Sequence, residues 1–189
     1  MSIEQEIFKE LNELRRDPKR YSNKVAKYKD YFEDDILRIP GVLHGIRTEE
    51  GPAPYVEAAE FLKKASPVGE LTPSKGLCSI ASDLFKQIQH ESPNNIGNID
   101  MDALINKYGS FAGDFHRTIE FGGTSGEHTI ADIVAGDGDK SRGQRDALLN
   151  NSFKKVGIAS GRDDKYRFIN IILLCTQFKN NSGNDDCSI

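Results

Sequence analysis

The chain has 189 residues, 37% of them hydrophobic, which fits one domain with enough apolar side chains for a core. With 25 Lys and Arg against 29 Asp and Glu, its net charge is -4. This balance argues against sequence-independent nucleic-acid binding and against electrostatic docking on anionic membranes, because both need excess positive charge. A transmembrane helix is excluded as well, because the chain has no apolar run of about 18 residues.

The N-terminus and the cysteines indicate where the protein resides. Acidic and apolar residues alternate from Glu4 onward, which is typical of an amphipathic helix and not of a signal peptide. Ser2 stands where myristoylation needs glycine, and Cys187 is third from the end, where prenylation needs the fourth position. Cys78 and Cys175 lie on apolar stretches as core residues, and the cysteines show no paired metal spacing. We therefore expect free thiols and a cytoplasmic or cytoskeleton-associated protein without a signal peptide.

The first half of the chain predicts helices joined by loops. Apolar residues from Ile3 to Leu14 share one helical face. Asp17-Pro18 interrupts this helix, because a residue before proline is pushed out of the helical region. The pattern then resumes from Tyr21 to Phe32. The remaining predictions are loops over 38–54 and 92–98, helices over 56–64 and 74–90 with Ser74 as a cap, and a helix over 101–107 stopped by Gly109.

The second half has a different pattern, richer in extended segments. The predictions there are an extended segment over 116–121, a turn over 122–126 with Ser125 as a cap, a helix over 127–134, a brief helix or turn over 146–153, and strands over 156–160 and 166–178. The two strands are joined by a hairpin at Gly161-Arg162-Asp163-Asp164. Helices first and strands last predict an α+β fold with a central antiparallel sheet. We assign residues 1–178 to a single domain and residues 179–189 to a polar tail without core-forming content.

The last strand indicates how the layers are arranged. Ile169, Ile171 and Leu173 share one face, yet the alternating neighbours Ile172 and Leu174 are apolar as well. A strand that is apolar on both faces is central and covered on both sides, as in a three-layer sandwich. The residues expected to build one core are Leu77, Ile80, Leu84, Phe153, Val156, Ile169, Ile171 and Leu173.

Two glycine-rich segments are candidate binding sites. In GDGDKSRG, residues 136–143, Asp137, Asp139 and Ser141 match the first positions of a calcium loop, but Arg142 and Leu148 stand where glycine and an acid are required. In FGGTSGEH, residues 121–128, the lysine that ends a phosphate-binding loop is missing. The sequence therefore favours a surface loop for the first segment and a capped turn for the second.

The histidines and a basic cluster give weaker signals. The four histidines lack the spacing of a zinc-protease helix, although His116 and Glu127 could meet across a turn in an acid–base or metal constellation. No serine or cysteine carries the flanking residues of a nucleophile. The cluster Arg15, Arg16, Lys19 and Arg20 lacks stacking aromatic residues, so it is predicted to be a solvated or ion-paired face.

Several motifs, in order along residues 7–178, resemble the CAP superfamily (cysteine-rich secretory, antigen-five and pathogenesis-related proteins), as a divergent single-domain member. The matching segments are NELRRDP at 12–18 with Tyr21, TEEG at 48–51, EAA at 57–59 with Leu62, KYGSFAG at 107–113, RGQRDALLN at 142–150 with Phe153, and VGIA at 156–159. The residues Leu71, Ser74, Gly76, Leu77 and Ala81 resemble the start of the family's next helix. The resemblance implies an α-β-α sandwich with an SCP-like central cavity, in which two histidines and two acidic side chains hold a divalent cation.

This chain departs from the family at the implied metal ligands. The resemblance places Arg117 at the cavity glutamate and Gln144 at one cavity histidine, and it brings His90 and Glu127 near the other histidine and acid. An alternative register places His116 and Glu127 on the cavity histidine and glutamate. A guanidinium where a metal would sit is a permanent like charge, so we expect no metal, no cofactor and an Arg117–Glu127 pair filling the pocket. The remnant cavity is His90, His116, Arg117, Glu127 and Gln144.

These departures favour a non-enzymatic CAP-fold module that binds other proteins. We expect it to be a structural part of a larger intracellular assembly, cytoskeletal or ciliary, working through its N-terminal helix and C-terminal tail. One alternative is a lipid- or sterol-binding domain, which would need an open apolar groove. Another is a residual metal-dependent hydrolase, which would need a nucleophile–base pair or metal geometry that the sequence does not show.

Overall fold

The computed structural model describes residues 1–91, 93–183, 187 and 189, except for the side chains of residues 90, 93 and 94. Helix α1 (Ile3–Arg16) begins with a reciprocal cap, because the Ser2 hydroxyl accepts from the Gln5 amide at 3.3 Å and the Gln5 side chain accepts from the Ser2 amide at 3.0 Å. The helix ends at Asp17, whose carboxylate caps α2 (Pro18–Lys27). The predicted interruption at Asp17-Pro18 is confirmed.

The helical predictions hold to within a few residues, apart from the last helix. The described residues also form α3 (Ala53–Lys64), α4 (Lys75–His90), α5 (Met101–Tyr108), α6 (Gly126–Ala135) and α7 (Gly143–Leu148), with 3-10 turns at Tyr28–Tyr31 and Pro93–Asn98. The hydroxyl of Ser74 does not cap α4; it is buried without a hydrogen-bond partner. By contrast, the hydroxyl of Ser125 caps α6 as predicted, accepting from the His128 amide at 3.2 Å.

Arg15 holds the end of α7 and the segment that follows it, where a brief helix or turn was predicted over 146–153. Its guanidinium donates to the carbonyls of Leu148 at 2.7 Å, Asn150 at 3.1 Å and Phe153 at 3.2 Å. These bonds provide donors for carbonyls at and beyond the end of the helix. The prediction of a solvated or ion-paired face is wrong for Arg15, which is fully buried, whereas its neighbour Arg16 is exposed and pairs with Glu70.

Two sheets form within the described residues. A small antiparallel one consists of β1 (Phe32–Glu33), β2 (Ile36–Leu37) and β3 (Ile46–Arg47), and of these only β3 lies within the predicted loop over 38–54. The central sheet contains β4 (Thr72–Pro73), β5 (Gly109–Phe121), β6 (Lys155–Asp163) and β7 (Arg167–Asn180) in the order β4-β6-β7-β5. Its pairs are antiparallel except β4 with β6, which is parallel. The predicted α+β class is thus confirmed, with one short parallel strand added at an edge.

Some boundaries in the central sheet differ from the predictions. Strand β5 begins directly after α5 and includes the predicted extended segment over 116–121. The hairpin turn lies at residues 164–166 and not at 161–164, because the carboxylate of Asp163 accepts from the amides of Lys165 and Tyr166, both at 2.9 Å. Strand β7 continues to Asn180, two residues into the predicted tail.

The sheet separates two hydrophobic clusters, so the expected single core is wrong. One cluster lies among α1, α2, α3 and α6 and includes Phe153, Val156, Ile172 and Leu174. The other lies under α4 and α5 and includes the remaining predicted residues Leu77, Ile80, Leu84, Ile169, Ile171 and Leu173. All of these residues are buried, and β7 is covered on both faces as predicted. Helices on both sides of the sheet give the three-layer sandwich.

Gly157 of β6 shows how closely α4 lies on the sheet. A Cβ atom there would be 2.2 Å from the backbone of Leu77, so only glycine allows this approach.

Along the described residues, none of the helices combines the length and the apolar character needed to cross a membrane.

Candidate functional site

A row of polar side chains crosses three adjacent strands on one face of the central sheet. Asn170 of β7 pairs in register with Ser160 of β6 and Glu120 of β5, so the three side chains share a face. Asn170 accepts from the Ser160 hydroxyl at 2.6 Å and donates to Glu120 at 2.7 Å, to the Gly123 carbonyl at 2.9 Å and to the Thr129 hydroxyl at 3.1 Å. Asn170 is fully buried and every polar atom of its amide group is used.

Helix α6 places a second set of polar side chains over this row. His128 and Asp132 are one helical turn apart, and His128 Nε2 lies 2.9 Å from Asp132 Oδ2, although the contact is not aligned as a hydrogen bond. The Thr124 amide donates to His128 Nδ1 at 3.3 Å, which leaves the ring proton on the nitrogen that faces Asp132. Tyr55 of α3 donates to the other oxygen of Asp132. We call Tyr55, Glu120, His128, Asp132 and Asn170 the polar cluster.

The electrostatics of the polar cluster favour a proton on Glu120. Burial, and then the charge of Asp132, raise the pKa of Glu120 to about 7, against the lowering effect of its hydrogen bond from Asn170. Burial alone would lower the pKa of His128, but the charge and contact of Asp132 raise it overall. Burial and Asp132 likewise hold the pKa of Tyr55 well above its usual range.

Two of the predicted site residues come together beside the polar cluster. His116 Nε2 donates to Gln144 Oε1 at 2.9 Å, and the hydroxyl of Thr118 donates to the same oxygen at 2.6 Å. His116 and Thr118 lie on the same face of β5 as Glu120, and Gln144 lies in the first turn of α7 above them. The amide oxygen of Gln144 therefore takes two donors.

The other predicted site residues are not brought to this place. Arg117 pairs in register with Leu173, on the opposite face of the sheet from His116, so it does not fill the pocket or pair with Glu127. One of its guanidinium nitrogens is buried without a hydrogen-bond partner. Glu127 instead lies 3.7 Å from Lys24 Nζ, at the outer side of α6. The side chain of His90 lies outside the described part of the chain.

The segment with the partial calcium-loop pattern holds two parts of the fold together. Asp137 accepts from the amides of Glu49 at 2.7 Å and Glu50 at 2.8 Å, which fastens the loop before α3. Arg142, in left-handed conformation, forms ion pairs with Glu50 at 2.8 Å and Glu57 at 3.1 Å. These contacts give Asp137 and Arg142 structural roles.

Sequence reasoning missed all five residues of the polar cluster. The i,i+4 spacing of His128 and Asp132 on a mostly apolar helix was a visible signal, but this pair lacks the second histidine of a zinc-protease helix. Glu120 alternates with His116 and Thr118 and so shares their face, which strand periodicity could have shown. Tyr55 and Asn170 gave no local signal, because their partners are distant in the chain. Tyr55 contacts Asp132, 77 positions away, and Asn170 contacts Glu120, 50 positions away.

A surface cavity of about 330 Å³ opens beside the polar cluster. It lies between β3 on one side and β5 and α6 on the other. Its lining includes the polar groups of Tyr55, Thr118, Glu120, Asp132 and Gln144. Apolar side chains also line it, namely Leu37, Ile46, Ile119, Phe121 and Ile133. His128 is 1% exposed and is not among the lining residues, so the cavity presents the carboxylates and not the imidazole.

The implied divalent cation does not fit these residues. Arg117, which the motif resemblance placed at a ligand position, faces the other side of the sheet, and the amide oxygen of Gln144 already takes two donors. Within the described residues, no group of three or more histidine, cysteine and acidic side chains is arranged to hold a metal. The oxygens of Asp132 and Glu120 face partners of the protein itself.

Comparison with known proteins found one similarity of fold. No family model and no curated protein matches the chain. A crystal structure of a cysteine-rich secretory protein from Staphylococcus aureus matches with a TM-score of 0.45 and 15% identity over 82% of this chain. The match covers 49% of that protein, so this chain spans about half its length. This likeness concerns the overall fold alone.

Proposed function

We propose that the chain is a non-enzymatic binding module whose former metal cavity has become a self-satisfied polar cluster. The main support for this proposal is that the side chains of the cavity pair with one another. Asp132 faces Tyr55 and His128, Glu120 accepts from Asn170 and from the Gly123 amide at 2.9 Å, and Gln144 takes two donors. His128 Nε2 lies 2.9 Å from Asp132 but is buried without an aligned hydrogen bond. A buried polar network whose other groups are paired rigidifies a fold and leaves little free for chemistry.

The same contacts argue against a catalytic or metal-binding role. A cation at Glu120 and Asp132 would have to displace the hydrogen bonds from Asn170 and Tyr55, and these groups would then be buried without partners. His128 is 1% exposed, so a substrate in the cavity does not reach its imidazole, and the imidazole of His116 is already hydrogen-bonded to Gln144 at 2.9 Å.

Calorimetric titration of the metal-free protein with zinc at neutral pH tests this part of the proposal. We expect no stoichiometric heat of binding, and the same result for Glu120→Gln and His128→Gln. Micromolar binding by the natural protein that disappears in both variants would contradict the proposal. Binding that is unchanged in both would place a metal elsewhere and would leave the polar cluster without metal.

We further propose that binding takes place where the N-terminal helix and the tail meet. A surface groove of about 650 Å³ lies there, lined by Ser2, Glu4 and Gln5 of the N-terminus, by Phe85 of α4 and by Cys187 and Ile189 of the tail, among others. The N-terminal wall is firmly placed, because Glu4 accepts from the Ser160 amide at 3.3 Å and Glu6 accepts from the Gly126 amide at 3.1 Å. The occupant proposed is a segment of another protein of an intracellular assembly, cytoskeletal or ciliary.

An affinity experiment can test this surface. The full chain, a chain ending at Gly183 and the full chain with Leu43→Ser are immobilised and exposed to native extract, and the recovered proteins are quantified. Ending at Gly183 keeps β7 complete and removes the tail wall of the groove. Leu43 is 88% exposed and is not a lining residue of the groove, so it is the matched control for loss of apolar surface.

We expect a stoichiometric partner with the full chain and the Leu43→Ser chain, and its loss with the shortened chain. The purified partner should then rebind the full chain in the absence of other proteins. Equal recovery with all three chains, or no partner with any, would overturn the assignment of this surface.

A small apolar ligand is the second candidate, and the cavity beside the polar cluster favours it. Its volume of about 330 Å³ and its mixed apolar and polar lining are typical of small-molecule sites. Native mass spectrometry after incubation with a sterol or a fatty acid tests this idea. A 1:1 complex that is lost in Ile133→Asp, whose side chain lines the cavity, would support it, and an unliganded spectrum would exclude these ligands.

A further inference from the structure

Two of the three cysteines meet, although 109 positions separate them in the chain. Cys175 is fully buried in the core under α4, whereas Cys78 and Cys187 are partly exposed. Cys78 and Cys187 line the same two surface pockets, and their side chains are in hydrogen-bond contact. The expectation that Cys78 is a core residue is therefore wrong, because it lies at the surface against the tail.

Both thiols are held in place by their surroundings. Cys78 lies in the first turn of α4, where its amide donates to the Ser74 carbonyl at 2.9 Å. On one side of Cys187, the Asn181 amide donates to the Tyr108 carbonyl at 2.9 Å. On the other side, Ile189 packs partly buried against the larger hydrophobic cluster. Cys187 thus lies between two described contacts of the chain, at Asn181 and at Ile189.

We propose that Cys78 and Cys187 are a disulfide-forming pair that fastens the tail to α4. A disulfide needs two sulfurs that can approach to bonding distance, and the contact of the two side chains at the same two pockets brings the sulfurs near each other. Both cysteines also line the groove of the proposed binding function, but the bond concerns only the chain's own thiols and is tested without a partner protein.

The bond would form by exchange with a low-molecular-weight disulfide such as glutathione disulfide. The Cys187 thiolate attacks one sulfur of that disulfide and releases one glutathione thiolate, leaving a mixed disulfide on Cys187. Cys78 then loses its proton to solvent and attacks the Cys187 sulfur, releasing the second glutathione. Two protein thiols are oxidised to one disulfide, and one glutathione disulfide is reduced to two thiols.

The local chemistry sets the order of these steps. Burial, and then the hydrogen bond with Cys187, raise the pKa of the Cys78 thiol to about 12, so little Cys78 thiolate is present at neutral pH. Cys187 therefore reacts first with the external disulfide. Cys78 closes the ring because the sulfur that it attacks is already in contact with it.

Peptide mapping tests the proposal directly, since trypsin separates the three cysteines. Cleavage after Lys75, Lys86, Arg167 and Lys179 places them in peptides 76–86, 168–179 and 180–189. The folded full chain is incubated with glutathione disulfide or with a reductant, free thiols are alkylated in denaturant, and the digests are compared. We expect oxidation to produce one linked pair of peptides 76–86 and 180–189, with the intact protein lighter by the mass of two hydrogen atoms.

Three variants serve as controls. Cys175→Ser should keep the link, whereas Cys78→Ser and Cys187→Ser should lose it, and the yield should not depend on protein concentration. The bond closes a very long loop, so we expect the Tm of the oxidised natural chain to lie roughly 5–15 °C above that of the reduced chain, with no such shift in Cys187→Ser.

Three results would overturn the inference. One is a mixed disulfide on Cys187 that never closes to Cys78, and another is a link that involves peptide 168–179. The third is a link between two chains whose yield rises with concentration. Each would show that the contact between Cys78 and Cys187 does not lead to bonding in the folded chain.

Discussion

Arg15 is the largest side chain that is buried completely, and among the described residues no carboxylate forms an ion pair with it. Its guanidinium donates to four backbone carbonyls, of which Gly69 at 2.8 Å belongs to the segment after α3 and the others to the last residue of α7 and the segment that follows it. Burial lowers the pKa of Arg15 to about 10, which still leaves it charged at neutral pH. One residue of α1 thereby joins three distant parts of the chain.

We expect Arg15→Met to lower the free energy of unfolding by about 3 kcal/mol or more, because the carbonyls that it serves would lose their donor. Arg15→Lys should also be destabilising, since one ammonium cannot reach all four acceptors. The neighbouring Arg16→Met is the matched control: its exposed pair with Glu70 is worth at most about 1 kcal/mol. Urea unfolding of the three variants checks this, and equal losses for Arg15→Met and Arg16→Met would contradict it.

Glu120 makes the stability of the fold depend on pH. Its pKa is raised in the folded state to about 7, so protonation favours the fold. This contribution is fully present below the pKa of Glu120 in the unfolded chain, which is about 4.5. It is lost as the pH rises through the folded-state pKa of about 7. His128 also has a raised pKa and contributes in the same direction, at higher pH.

We therefore expect the stability of the natural chain, relative to Glu120→Gln, to fall by about 1–3 kcal/mol between about pH 5 and pH 8. The comparison with Glu120→Gln cancels most of the contribution of His128. Glu60→Gln, at an exposed carboxylate, is the control and should show no such trend. A relative stability that stays constant over this pH range would contradict the prediction, because it would show that Glu120 is ionised in the fold throughout.

At the scale of elements, α4 is the main cover of one face of the sheet. Leu84 is fully buried there between α4 and the central strands. Leu84→Ala should cost about 2–5 kcal/mol, since it removes buried methyl groups and leaves a cavity. Chemical denaturation measures this cost, and a loss below about 1 kcal/mol would be incompatible with the packing of α4.

The two clusters should also respond independently. Leu14 lies in the cluster on the opposite face of the sheet from Leu84. We expect the double variant Leu14→Ala with Leu84→Ala to lose the sum of the single losses to within about 0.5 kcal/mol, because the two sites share no neighbours. The comparison is Leu77→Ala with Leu84→Ala, which should deviate from additivity because both side chains belong to one cluster.

At the scale of the whole molecule, the end of β7 decides where the folded domain stops. The side chain of Asn180 accepts from the Gly76 amide at 2.6 Å, and Asn181 donates from its amide to the Tyr108 carbonyl at 2.9 Å. These contacts fasten the strand to the beginning of α4 and to the end of α5. They lie beyond residue 178, the predicted end of the domain.

A chain ending at Phe178 should therefore be less stable than one ending at Gly183, by about 1–3 kcal/mol for the two backbone groups that lose their partners. The chain ending at Gly183 should unfold within about 1 kcal/mol of the full reduced chain, because it keeps both contacts. Thermal unfolding of the three chains under reducing conditions measures the difference. Equal stability of the two shortened chains would return the boundary to residue 178.

Local sequence patterns determined the elements of this protein. The apolar spacing from Ile3 to Leu14, the break at Asp17-Pro18 and the cap at Ser125 were each visible, because they depend on residues within a few positions of one another. The apolar character of both faces of β7 also indicated the three layers, since only a covered strand is apolar on both sides.

The tertiary structure alone decided the site. Arg117 and His116 are adjacent in sequence, yet the strand sends them to opposite faces of the sheet, so an alignment of motifs could not place them in one cavity. The contact of Tyr55 with Asp132 and that of Cys78 with Cys187 join residues far apart in the chain. Such contacts follow from how whole helices and strands pack, and no local pattern of residues specifies them.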